Sequence, residues 1–251
     1  MNETIQTLVN HRSIRRYENK PVKKEDLHMI VEAAQAAPSW IHGQQVSIIA
    51  VQDETRKEKL AELVGNQVAV KEAPVFFVFC ADFYRAKLAS EKQQVPLAVT
   101  DDVDSLLVGA TDVGLAMGNA IAAAESLGLG IVPIGGIRKN PLEVIKLLEL
   151  PEYVIPISGL CIGYANETPE QKPRLPKEIV YQEEKYNAAL QKEKLDTYDQ
   201  MMSNYTSART NGENNSNWSE RVAAFYSKPY YGQIGDMLLK QKFTCNNMNR
   251  S

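Results

Sequence analysis

Cysteine is scarce in this chain: three residues in 251, with no Cys-x-x-Cys pair and no histidine close to any of them. That argues against both a disulfide framework and a thiolate metal site. Histidine is equally rare, and because His11, His28 and His42 are far apart in sequence, no metal site is expected. Positive charge is not in excess. Lys and Arg total 28 against 31 Asp and Glu, a formal net charge of −3, so a nucleic-acid partner bound through phosphate contacts is not expected. The opening residues "MNETIQTLVNHRS" hold no long apolar run, which leaves the cytoplasm as the expected location. One stretch, 104–130, is apolar enough to suggest a membrane span. Asp112 and Asn119 lie in its middle, however, and a central Asp costs roughly 2.5–3.5 kcal/mol on insertion scales. No membrane partner is therefore expected; the stretch is read as a central helix, its Gly109, Gly114 and Gly118 admitting close neighbours.

What remains is ordinary globular material, 44% apolar and 24% charged, with enough chain for a sizeable core. Ile5, Leu8 and Val9 recur at helical spacing behind an Asn2 or Thr4 cap, so His11 falls at or just past a helix end. A second helix should stop before Pro38. "VSIIAV" (46–51), "PVFFVFCADF" (74–83), the "IVPI" stretch after 130 and "VIPISGLCIGY" (154–164) read as strands. "TRKEKLAELVG" reads as a helix closed by Gly65, and Asn140 with Pro141 as the start of another. Beyond 164 the character changes. A proline-punctuated extended segment leads into two helical stretches, the second interrupted by Pro229. Strands alternating with helices suggest an α/β sandwich with appended elements, a core over 1–164 followed by an extended segment and helical arm over 165–251. Such an arm often packs on another subunit, which makes a homodimer the expected assembly.

Three segments could carry chemistry. In "HRSIR", Arg12 and Arg15 stand three apart, with the Ser13 hydroxyl and the His11 imidazole beside them, a donor set suited to phosphate oxygens; a solvated helix end whose cations meet the macrodipole is the alternative. "SLGLGIVPIGGIR" is no dinucleotide fingerprint, because its first glycines end a helix and precede a strand. Gly135 and Gly136, just beyond that strand, suit either close approach by a flat ligand or a plain turn. In "QKPRLPK" the prolines hold Lys172 and Arg174 in an extended segment, ready for phosphate or simply surface charge on a linker. No Ser-His-Asp set or carboxylate pair is apparent. Phosphate donors without a protein nucleophile suit redox chemistry carried by a bound cofactor.

These segments, together with "GNQ" ending at Gln67, "FVFCADFYR", "AAESLGLG", "LCIGY", "KPRLPKEIVY", "RTNG" and "WSERV", in this order and across essentially the whole chain, resemble the oxygen-insensitive NADPH nitroreductase and flavin reductase family. The resemblance implies an α+β fold, a three-layer α/β/α sandwich with a mixed, largely antiparallel sheet and a C-terminal helical extension lying on the partner subunit of a homodimer. It implies FMN at the subunit interface: His11, Arg12, Ser13 and Arg15 at the phosphate and ribityl end, joined by Lys172 and Arg174; Gln67 at the pyrimidine edge; Ser39 from the other subunit; and the backbone of Ile134, Gly135 and Gly136 near the flavin N5. Trp40, Arg138 and Arg209 are implied at the NAD(P)H or substrate pocket, Trp40 having a core aromatic as its alternative. The implied reaction is ping-pong transfer from NADPH or NADH through FMN to small-molecule oxidants: nitroaromatics, quinones, azo compounds or free flavin. No side chain is expected to be catalytic, and a non-catalytic flavin carrier or redox sensor is the rival. The "ENNSN" loop lacks the bases that usually meet the NADPH phosphates, which leaves the donor preference open.

Overall fold

The computed structural model describes residues 1–249. Two compact units are present, one formed by Met1–Pro169 together with the chain from Tyr231 on, the other by Glu170–Tyr230. The first carries helices α1 (Glu3–Val9), α2 (Lys24–Gln35), α3 (Glu54–Leu63), α4 (Val68–Glu72), α5 (Tyr84–Gln93), α6 (Asp104–Ser126) and α7 (Pro141–Leu147). Its strands are β1 (Val46–Val51), β2 (Val75–Asp82), β3 (Gly130–Ile134) and β4 (Val154–Gly163). The second unit holds α8 (Lys177–Val180), α9 (Ala188–Arg209) and α10 (Trp218–Tyr226), after which α11 (Ile234–Lys240) belongs again to the first.

The sheet runs β1-β2-β4-β3 with every neighbouring pair antiparallel. The fold is thus α+β, and among the described residues parallel pairing is confined to an isolated bridge between Ser13 and Ile131. β2 is buried along its whole length, as its unbroken apolar run requires of a strand covered on both faces. α6 packs against all four strands and against α2, while α7 packs on β4 and α3. Phe76, Phe77 and Phe79 are buried at the centre.

α6 corrects one expectation. Gly109 is tightly packed, its absent Cβ leaving room for Ala81 and Phe83, but Gly114 and Gly118 face open space, and Leu107 and Leu115 beside them are exposed. The two polar residues in its middle are satisfied inside the first unit: Asp112 accepts the Trp40 N–H, and the Asn119 amide donates to the Ala33 carbonyl. By length and composition α6 could cross a membrane. Asn140 also departs from expectation: it precedes α7 but makes no side-chain cap, donating instead to the Leu63 carbonyl at 2.6 Å. The turn after α3 is thereby tied to the turn after β3.

Candidate functional site

Segment 10–17 is fixed by its apolar residues and leaves its polar ones facing outward. Asn2 caps α1, accepting from the Ile5 N–H, and the helix ends at Val9, so His11 lies just beyond it. Ile14 and Tyr17 are buried. The Ile14 N–H donates to the Ile131 carbonyl at 2.9 Å, and the Tyr17 hydroxyl donates to the Ile14 carbonyl at 2.7 Å. Gly130 makes the approach possible, since a Cβ there would lie 2.7 Å from Ile14 Cγ1. Burial raises the Tyr17 hydroxyl far above the usual phenol range, so it remains a proton donor.

The polar set falls into two groups. His11 Nδ1 lies 2.6 Å from Glu125 Oε1, and Arg16 forms a salt bridge with Glu72 at 2.6 Å, a partner that the sequence did not suggest. The guanidiniums of Arg12 and Arg15 donate to the carbonyls of Asn10 and Ser13, and among the described residues neither is paired with a carboxylate. The backbone N–H groups of Arg15 and Arg16 both donate to Glu167 Oε1, at 2.5 and 3.2 Å. Two fork-shaped cations without an acidic partner, beside a serine and a histidine, form an anion-seeking surface in an otherwise acidic chain.

The two glycines after β3 separate into different roles. Gly135 is exposed with nothing closer than Arg138 Nη2 at 3.9 Å, whereas a Cβ on Gly136 would lie 2.4 Å from the Val64 carbonyl oxygen. That contact and the Asn140 bond hold the exposed Gln67, which precedes α4, in a turn stitched to 134–140. Arg138 is more engaged than a free pocket residue: its guanidinium donates to the Ile157 carbonyl and lies 5.9 Å from the Tyr231 ring centre.

Ser39 and Trp40 open a strained turn. Ser39 Oγ accepts from the Gln44 N–H at 3.0 Å. Ile41, His42 and Gln44 all have left-handed φ, at 48, 58 and 51°, a conformation costly for a β-branched isoleucine. Arg85 holds the exit of this turn, donating to the Gln44 and Val46 carbonyls at 2.7 and 2.8 Å and to Asp82 at 3.0 Å. Trp40 is 61% exposed, which rules out the core-aromatic alternative for this unit. Here sequence reasoning missed Arg85 and Asp112, as it missed Glu125 and Glu167 above; "FVFCADFYR" gave only the family signal for Arg85.

Lys172, Arg174 and Arg209 lie in the second unit. Tyr198 donates to the Pro173 carbonyl at 3.0 Å, holding the "KPRLP" segment on α9. Lys172, Arg174 and Arg221, with Tyr198, Trp218 and Phe225, line a cleft of about 590 Å³. Arg209 ends α9 and is exposed.

Residues 8–164 match the family model for the nitroreductase family, and residues 172–246 match that for its C-terminal domain. An "FMN reductase [NAD(P)H]" of Bacillus subtilis is 51% identical over 97% of this chain and 98% of its own. The solved structure of B. megaterium NfrA2 superposes with a TM-score of 0.95 at 53% identity, over 97% of this chain and 98% of that one. A Vibrio harveyi NADPH:FMN oxidoreductase, solved in complex with NAD+, has a TM-score of 0.87 at 35% identity, over 97% and 99% of the two chains.

Proposed function

The chain belongs to the nitroreductase family, and from that premise we propose that it is a cytoplasmic, homodimeric NAD(P)H oxidoreductase that works through FMN. The observation that carries the proposal is the pair of guanidiniums of Arg12 and Arg15, neither of which meets a carboxylate among the described residues. These guanidiniums, with Ser13 and His11, match the donor chemistry of a phosphate monoester. Lys172 and Arg174 would add further cations for the phosphate. The exposed Gly135 has no side chain to block a flat ring, and backbone N–H groups around 134–136 can favour charge on a ring nitrogen without any titrating side chain. Gln67 would bond the pyrimidine edge, and Ser39 would reach it from the partner subunit.

When bound, FMN supplies a two-electron relay, reduced by NADPH or NADH and reoxidised in a separate step by nitroaromatics, quinones, azo compounds or free flavin. The protein's part is to bind, orient and exclude water. Trp40, Arg138 and Arg209 are assigned to the donor or substrate pocket, with Trp40 offering an exposed ring for stacking.

Anaerobic titration of the purified yellow protein with NADPH and NADH, side by side, tests the proposal. Bleaching of the flavin bands by at least one donor is expected. A spectrum unmoved by both would overturn it, and bleaching without turnover on any quinone, nitroaromatic or flavin would favour a non-catalytic carrier or sensor.

A further inference from the structure

We infer that Glu125 is the positioning residue that turns His11 into a phosphate donor, an assignment that rests on reading residues 11–15 as the FMN phosphate clamp. The two residues meet across a sequence separation of 114, with His11 Nδ1 2.6 Å from Glu125 Oε1. Glu125 sits in the last turn of α6 and His11 just past α1, two helices that pack together. Their side chains are only 12% and 24% exposed.

An ionised carboxylate has no proton to give, so His11 Nδ1 is the donor in this bond and Nε2 is the ring atom left for a ligand. The same device orients imidazoles in metal sites, where the carboxylate fixes the ring and its tautomer. A ring with a proton on each nitrogen donates to Glu125 through Nδ1 and to a phosphate oxygen through Nε2 at the same time. The other carboxylate oxygen, Glu125 Oε2, is the one buried side-chain atom without a hydrogen-bond partner among the described residues. A carboxylate so poorly supplied with donors leans on the His11 ring nitrogen, which ties it to the clamp more closely than a fully hydrogen-bonded structural carboxylate would be. In this reading Arg12 and Arg15 meet the anion themselves, whereas Glu125 acts through His11.

The test compares FMN with riboflavin, which lacks the phosphate, by quenching of flavin fluorescence on the flavin-stripped full-length protein. Glu125→Gln keeps the shape and removes the charge. It is expected to raise the Kd for FMN about tenfold, the scale of one hydrogen bond to a charged group, and to leave riboflavin unchanged. His11→Gln is expected to do the same, and the double variant to be no worse than His11→Gln alone. Equal weakening of both flavins by Glu125→Gln would mean that the pair only ties α1 to α6, and the inference would fall. If His11→Gln loses FMN selectively while Glu125→Gln does not, the clamp stands and the inference alone fails. Wild-type protein binding the two flavins equally would remove the clamp and the inference with it. Should Glu125→Gln not fold, Glu125→Asp, which keeps the charge and shortens the reach, carries the same comparison.

Discussion

The carbonyl oxygen of Val64 occupies the space where a side chain on Gly136 would begin, 2.4 Å from an ideal Cβ. The turn after β3 therefore rests directly on the backbone at the end of α3. Gly136→Ala must displace one of these two backbones, at an expected cost of about 1–3 kcal/mol, as for other overpacked sites. Gly135→Ala meets nothing closer than 3.9 Å and should stay within about 0.5 kcal/mol of wild type, while weakening flavin binding if the ring lies against that residue. Thermal unfolding of the two variants separates the roles; equal losses of Tm would show that the glycines are not divided in this way.

Arg15→Ala tests the clamp from its exposed side. The guanidinium has one long bond, 3.3 Å to the Ser13 carbonyl, so its removal costs the fold little. Flavin retention should suffer instead, by roughly tenfold in Kd for the loss of a charged donor to phosphate. Full flavin occupancy after exhaustive dialysis of the variant would refute the assignment.

Much of this architecture is legible in the chain because it is written locally. The run around Phe76–Phe79 can only be a doubly covered strand, and Pro38 and Gly65 punctuate helices as their backbone chemistry demands. What escaped is non-local or conformational. Glu125 meets His11 across 114 residues and Glu167 meets Arg15 across 152, and no periodicity encodes such pairings. The turn at residues 41–44 puts its left-handed angles on Ile41, His42 and Gln44 and not on Gly43, whose φ is −70°, so its one glycine does not announce them. Gly114 and Gly118 suggested close packing, yet their composition does not say whether the neighbour comes from the same chain. The residues proposed to clamp phosphate were visible as a cluster of donors, but that His11 meets Glu125 and Arg16 meets Glu72 was not.

Donor preference should respond to charge in the second unit. The loop between Arg209 and Trp218 contains no base, and the cleft beside it draws a cation from Arg221. Asn215→Arg, at an exposed position whose backbone carbonyl accepts from Ser203, is expected to lower KM for NADPH more than for NADH. Arg221→Ala should raise KM for NADPH more than for NADH if this cation meets the 2′-phosphate. Parallel changes for the two donors, measured by steady-state oxidation, would count against a phosphate role for this face.

Alkaline pH should weaken the fold. Burial pushes the Cys80 thiol from 9.0 up to about 12 and raises Cys161 and Tyr17 as well. In the folded state each keeps a proton that the unfolded chain releases. The stability they contribute is therefore complete below the unfolded value of 9.0 for the thiols and is lost progressively above it. Lys57 opposes this: burial lowers it from 10.5, so its penalty is relieved as pH rises toward that value. Burial raises Tyr198 and Cys245 in the same sense, so these groups outweigh Lys57 and should give a Tm that falls beyond pH 9. Replacing Cys80 and Cys161 together by Ala should flatten the fall between pH 9 and 10, and an unchanged slope would show that the thiols do not contribute.

The exposed face of α6 asks for a partner. Leu107 is 63% and Leu115 42% exposed, beside Trp40 at 61% and Ile41 at 84%, and together with Pro38 and Thr111 they line a hollow of about 470 Å³. Exposed apolar side chains gathered in this way mark an interaction site, and a second copy of the same face can close it by two-fold symmetry. Introducing Leu107→Glu and Leu115→Glu together sets like charges against each other across such an axis. Light scattering should then report the 28.0 kDa monomer in place of the dimer. If Ser39 of one subunit completes the flavin site of the other, the monomer should also lose its flavin, although both substitutions lie far in sequence from the phosphate clamp. A variant that is monomeric yet fully yellow would separate assembly from cofactor binding and would return Ser39 to a purely local role, as acceptor for the Gln44 N–H.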